Sequence, residues 1–228
     1  MENTFSLKEK FILLCYHPEK GKPFWNAQYY IYGITGAIFL ELAGMQKIKI
    51  TNKRLEITDS KKTGDPVLDL ALDVLAQAKS QKRVQTWIHK FASFRMGRKI
   101  KRMILDGLVE KRILGKEEAK FLFFFKYFKY PARETRTRNE LINNVQDYVL
   151  RNRSNESDTL LLSALVGSAQ ITSRIFEKAD RKVAGKRLKE ILKGNEVSQI
   201  VGETVSAVQA AIVASVVASA AASSAARG

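Results

Sequence analysis

Between Asp73 and Asp106 the chain carries no acidic residue, while Lys79, Lys82, Arg83, Lys90, Arg95, Arg98, Lys99, Lys101 and Arg102 supply nine positive charges. Within that run Arg98, Lys101 and Arg102 stand at i, i+3 and i+4. On a helix this spacing lets three cationic heads converge on one phosphate-sized anion. A charge run is ordinarily a solvated helix face. The absence of any acid over 32 residues favours a functional anion site, on charge counting alone.

The second segment able to do chemistry is Phe121-Leu122-Phe123-Phe124-Phe125-Lys126-Tyr127-Phe128-Lys129-Tyr130, seven aromatics in ten residues with two lysines. In a hairpin only alternate side chains face a core, so Phe124 or Phe125, together with Phe128, point outward or lie at the tip. Outward rings beside lysines suit a membrane interface, where rings enter the headgroup region and ammonium groups reach phosphates. A core strand or a protein contact explains the aromatic content equally well.

The remaining candidates have plainer readings. Trp25 sits in a loop after Gly21-Lys22-Pro23-Phe24, where a tryptophan commonly caps a core, and Trp87, with Ile88 and Phe91, reads as core. Cys15 lies on an apolar face as an inert small hydrophobe. His17 and His89 have no carboxylate at triad or ligand spacing, and Thr63-Gly64-Asp65 before Pro66 reads as turn and cap chemistry rather than a metal loop. The sequence holds no P-loop, G-x-G-x-x-G, G-x-S-x-G or H-E-x-x-H pattern. No catalytic residue, metal or cofactor is expected, and the chain reads as a non-enzyme.

The elements that must position these residues are mainly helical. Ser6-Leu7-Lys8-Glu9 fits a capping box opening a short amphipathic helix, ended by His17 to Pro23. Ala27 to Leu42 predicts a buried central helix whose Gly33 and Gly36 admit close neighbours. Lys47 to Ile50 and Leu55 to Thr58 alternate as a short hairpin. Helices are expected over Val67–Ala78, Val84–Phe91 and Arg95–Glu110, and Phe121 to Tyr130 forms the aromatic hairpin. Four more helices follow over about 134–151, 157–170, 173–193 and 197–225. With no repeat and no long linker, residues 1–228 form a single globular domain of about nine helices with two small β-hairpins, one protruding and aromatic-rich.

Length and composition bound the class. The 228 residues are 45% hydrophobic, enough for a sizeable core, and a net charge of +16 points to a polyanionic partner. One cysteine excludes a disulfide-stapled fold, and with two histidines there is no zinc cluster. Nothing at the amino terminus reads as a secretory signal, so a cytoplasmic location is expected. Ser206 to Ala226 is Ala- and Ser-rich and reads as a packed helix rather than a membrane span.

Several short stretches converge in order: Leu7 to Leu14, Phe24-Trp25-Asn26, Leu40-Glu41-Leu42-Ala43, Thr63-Gly64-Asp65 with Leu68-Asp69 and Ala71-Leu72. Val84-Gln85-Thr86-Trp87-Ile88, Leu108-Val109-Glu110-Lys111, Phe121-Leu122 and Ala207 to Ala211 continue them. Together they resemble the Golgi phosphoprotein 3-like family of peripheral phosphoinositide-binding proteins over about Phe5 to Val217. The resemblance implies a mainly helical fold with a phosphatidylinositol 4-phosphate pocket built from a tryptophan and basic residues. By position these are Trp25, Arg98 and Lys101, with Arg102 beside them. A third family arginine, on the helix after the tryptophan, has no counterpart; that region is one residue longer, and Thr35 is its nearest equivalent. The hairpin resembles the family's membrane-inserting and oligomer-forming hairpin, which implicates Phe123, Phe124, Phe125, Lys126, Tyr127 and Phe128. The short amino terminus and Ala-rich end are similar to those of a prokaryotic relative, whose target is an anionic inner-leaflet lipid.

The leading expectation is thus a peripheral membrane protein on the cytosolic face, at the Golgi only in a eukaryote, that binds an anionic phospholipid headgroup. Basic groups contribute about 1 kcal/mol each near an anionic leaflet, and aromatic insertion supplies a second anchor. The alternative is a winged-helix-like nucleic-acid-binding protein, against which the apolar hairpin argues. An adaptor for cytosolic tails of membrane enzymes, and weak homo-oligomers through the hairpin, are compatible with the first reading.

Overall fold

The chain was analysed as a computed structural model, which describes residues 5–24, 29–78, 80–121, 125–153, 157–192 and 199–225. Its helices among these residues are α1 (Leu7–Cys15), α2 (Tyr30–Gly44), α3 (Pro66–Ala76), α4 (Val84–Ala92), α5 (Phe94–Glu110), α6 (Arg136–Arg151), α7 (Ser157–Ser168), α8 (Arg181–Leu192) and α9 (Gln199–Ala225). The strands are β1 (Ile48–Thr51), β2 (Arg54–Ile57), β3 (Lys82–Arg83), β4 (Glu117–Phe121) and β5 (Phe125–Lys129). The fold is mainly α with two small antiparallel sheets, as the sequence predicts.

α2 is apolar on every side, and a helix of that kind is stable only when surrounded. It packs against α1, α4, α7 and α9, with Ile34, Ala37, Ile38, Phe39 and Leu42 fully buried. Gly36 permits one of these approaches: a Cβ there would collide with Ile212 of α9 and crowd Val208 and Leu165. α9 is long and apolar enough to cross a membrane by length and composition. One of its faces is nevertheless built into the core through Val205, Val208, Ile212 and Val216. Ser219 pairs with the Tyr32 hydroxyl at 2.6 Å, and Ser215 with the His89 ring at 3.2 Å.

An ion triad fixes the entry to the fold. Glu9 makes its half of the capping box, accepting from the Ser6 N–H at 3.0 Å. The Lys8 ammonium, almost wholly buried, meets Glu41 and Asp65 at 2.7 Å each, while Glu41 also accepts the Lys8 N–H at 2.7 Å. Desolvation opposes the Lys8 charge, but the two carboxylates outweigh it and hold the ammonium above its ordinary value. Asp65 also caps α3, taking the N–H groups of Val67 at 2.8 Å and Leu68 at 3.0 Å, which is the cap chemistry read from Thr63-Gly64-Asp65.

Two expectations about elements are corrected. Lys82 and Arg83, read only as charge, add a third strand to the β1–β2 hairpin, pairing with Leu55 and Arg54. The helix expected from 173 begins instead at Arg181, after a 3-10 turn over Thr172–Arg174. Ile175 and Phe176 turn into the core at this point, and the Arg181 guanidinium takes the freed carbonyls of Phe176 at 3.1 Å and Ser173 at 3.2 Å. Trp87 is core, with Phe91 edge-on to it. Cys15 is fully buried, and desolvation pushes its thiol up against a smaller opposing effect of Arg138, a nearby cation that the sequence does not reveal.

Candidate functional site: a basic helix between a loop and a hairpin

α5 follows α4 at Ser93 and turns a strongly amphipathic sequence so that Ile100, Ile104, Leu105 and Leu108 are buried and Arg95, Arg98, Lys99 and Arg102 are exposed. Lys101 lies between the two faces, half-buried. Burial first, and the charge of Arg98 second, lower its pKa from the ordinary lysine value. Neither Lys101 nor Arg98 meets a carboxylate among the described residues. A desolvated ammonium beside a guanidinium, with no acid to offset either, has the electrostatics of an anion site.

Arg102, expected in the same set, differs: its Nε lies 3.4 Å from Asp106, one turn along, and its charge is partly answered there. Thr35 does not belong to the site. It is fully buried on α2 and its hydroxyl donates to the Ile31 carbonyl at 2.9 Å.

Trp25 lies outside the described residues, but the residues on either side of 25–28 are placed. On the entry side Tyr16 bridges Pro23, and the Phe24 ring lies 5.7 Å from the Arg138 guanidinium and 4.7 Å from that of Arg174. On the return side Ile31 packs against Gly97, where a Cβ would come within 2.9 Å of Ile31 Cγ1. The chain therefore re-enters the fold beside the residue that precedes Arg98.

The aromatic hairpin is observed as β4 and β5, in the register Glu117↔Lys129 to Phe121↔Phe125. Phe123 and Phe124 lie outside the described residues, and of Phe125 only the backbone is described. Phe128 is exposed with the Lys116 ammonium 4.7 Å over its ring, and Lys126 pairs with Glu118 at 3.0 Å. Lys22 lies 4.7 Å over the Tyr127 ring, and its hydrogen bond to the phenol lowers the Tyr127 pKa.

The hairpin base is sewn to the rest of the site in two places. Gly21, at φ +59°, accepts the Tyr130 N–H at 2.8 Å and sits so close to Tyr130 and Pro131 that any Cβ would strike their backbone. Asp106 of α5 accepts from Lys116 at 2.8 Å and from the Tyr130 hydroxyl at 3.1 Å. Burial alone would raise the Asp106 carboxyl; its hydrogen bonds from Lys116 and Tyr130 outweigh this and lower it. A carboxylate lowered on folding contributes stability above its unfolded value, lost as pH falls through the folded one. The protection of β4 and β5 amides, taken relative to the intrinsic exchange rate at each pH, is accordingly expected to fall on acidification below the ordinary carboxylate range while α2 and α9 stay protected. Asp106→Asn should flatten that dependence.

A helix bearing a cation pair that meets no carboxylate among the described residues, tied at Asp106 to an aromatic hairpin, makes this a mainly helical protein with a basic surface. The chain belongs to the Golgi phosphoprotein 3 (GPP34) family, whose model matches residues 7–212. That membership is consistent with a protein working at a membrane surface. Among the described residues no three of His, Cys, Asp or Glu are grouped to hold a metal ion.

Sequence reasoning missed Asp106, Gly21 and Lys22, which place the hairpin. Gly21-Lys22-Pro23 carries a turn signal, but its meeting with Tyr130 and Pro131 is a long-range pairing with no local trace.

Proposed function

We propose that this chain is a peripheral, non-enzymatic membrane protein that binds the phosphomonoester headgroup of an anionic phospholipid, with phosphatidylinositol 4-phosphate as the reference ligand. The observation that carries the reading is Lys101, half-buried beside Arg98 with no carboxylate among the described residues offered to either. A dianionic phosphate supplies the missing charge through charge-assisted hydrogen bonds, and Trp25, six residues before the Ile31 that packs on Gly97, is assigned by this reading to cover the inositol or glycerol portion. The exposed cations of α5 add a diffuse attraction of about 1 kcal/mol each to an anionic leaflet. The aromatic hairpin supplies shallow insertion. Tails of membrane enzymes are further partners on this reading, and the location is the cytosolic face of a membrane.

The test is vesicle flotation. Binding is expected with vesicles containing phosphatidylinositol 4-phosphate, weaker with phosphatidylserine and absent with phosphatidylcholine alone. Raising the salt from low to about physiological ionic strength should weaken the serine-lipid binding more, since screened surface charge is its whole basis. Equal flotation with neutral vesicles at every salt concentration sinks the proposal.

A further inference from the structure

Phe94 is 76% exposed, the most exposed large apolar side chain among the described residues. It begins α5, four residues before Arg98 and seven before Lys101, and positions i, i+4 and i+7 share one helix face. Its ring lies under the Arg98 guanidinium, 4.0 Å from Cζ to the ring centroid. A guanidinium stacked by its face keeps its in-plane N–H groups directed outward, so the ring holds Arg98 without using the donors that a phosphate needs. Arg98 lies over the ring, and Arg95 and Lys99, both exposed, carry further positive charge on the same turns of α5.

We infer that Phe94 is a membrane anchor separate from the aromatic hairpin, entering the interfacial layer of an anionic bilayer beside the headgroup held by Arg98 and Lys101. The occupant is a bilayer because the exposed ring carries the Arg98 guanidinium and opens a helix whose exposed charged residues from Arg95 to Arg102 are all cations, which suits an apolar layer roofed by phosphates. An apolar protein partner would leave those cations desolvated and unpaired. This rests on the headgroup reading and extends it. The hairpin is tied to α5 at Asp106, twelve residues from Phe94, or about 18 Å along the helix. One insertion point leaves a protein free to roll on a surface; two at opposite ends of a helix set how it lies.

The experiment uses vesicles of phosphatidylcholine with phosphatidylinositol 4-phosphate, and in parallel a short-chain, water-soluble form of that lipid. Phe94→Ser should weaken vesicle partition about tenfold while leaving thermal unfolding unchanged and lowering soluble-lipid binding by no more than about twofold through the lost contact with Arg98, and Phe94→Leu should recover most of the loss of partition. Met45→Ser, a control at another exposed apolar side chain, should leave partition unchanged. An environment-sensitive fluorophore on Phe94→Cys should shift to the blue when vesicles are added; Cys15 is buried and will not compete for the label. Normal partition of Phe94→Ser, an equal loss for Met45→Ser, or a change in self-association without vesicles overturns the inference. Lys101→Glu distinguishes the two readings. Lost soluble-lipid binding in Lys101→Glu with normal partition of Phe94→Ser removes the Phe94 anchor alone, whereas full binding by Lys101→Glu removes the headgroup site and the anchor with it.

Discussion

Lys101→Glu is expected to lose phosphatidylinositol 4-phosphate binding by about a hundredfold or more while remaining folded. The ammonium makes one charge-assisted contact worth about 1.5–3 kcal/mol, and reversal adds repulsion of similar size. Folding is spared because Lys101 serves no carboxylate whose loss would be felt, and removing a desolvated cation from beside Arg98 relieves strain. Arg98→Glu should behave alike. Lys82→Glu, on the exposed strand β3, supplies the comparison: a loss of less than about fivefold relative to the unaltered chain, shrinking as salt is raised. Flotation against the same vesicles reads all three, and comparable losses at Lys82 and Lys101 would leave a basic surface but no pocket.

The second large effect is on stability. Lys8→Met should destabilise the fold by about 3–5 kcal/mol, because it leaves the Glu41 and Asp65 carboxylates facing each other without their shared cation. For a chain of this length that corresponds to a fall in Tm of about 10 °C, measurable by calorimetry or urea denaturation. Adding Glu41→Gln should restore at least half of it, since the amide oxygen still accepts the Lys8 N–H and one negative charge is gone. A neutral Lys8→Met would mean that water reaches the triad freely.

The parts of this protein legible in its sequence are those written in local patterns. The spacing of Arg98 and Lys101, the cap at Asp65, the all-round apolarity of α2 and the aromatic run that supplies β5 each follow from neighbours within a turn or a strand, whereas β4, mostly Glu117 to Lys120, begins before that run. What escaped is what distant segments make together. Lys8 reads as an ordinary surface residue until Glu41 and Asp65 arrive beside it. Lys82 and Arg83 pair as a strand only because β2 is there to receive them. Thr35 was assigned to the site by positional carry-over, and the helix phase around it decided otherwise. Phe94 was hidden for a different reason: a phenylalanine opening an amphipathic helix is expected inside, and only its exposure marks it.

The meeting of α2 with α9 has a consequence for how the chain is made. The notch at Gly36 is filled by Ile212, so the most apolar helix of the protein, near its beginning, waits for a partner near its end. During synthesis that face must remain uncovered while almost all of the remaining chain is translated. Contacts of such long sequence separation slow folding and prolong the exposure of sticky surface. The nascent protein is therefore expected to depend on chaperones until its last helix emerges. Chains terminated before Val208 should aggregate rather than persist as a smaller folded unit.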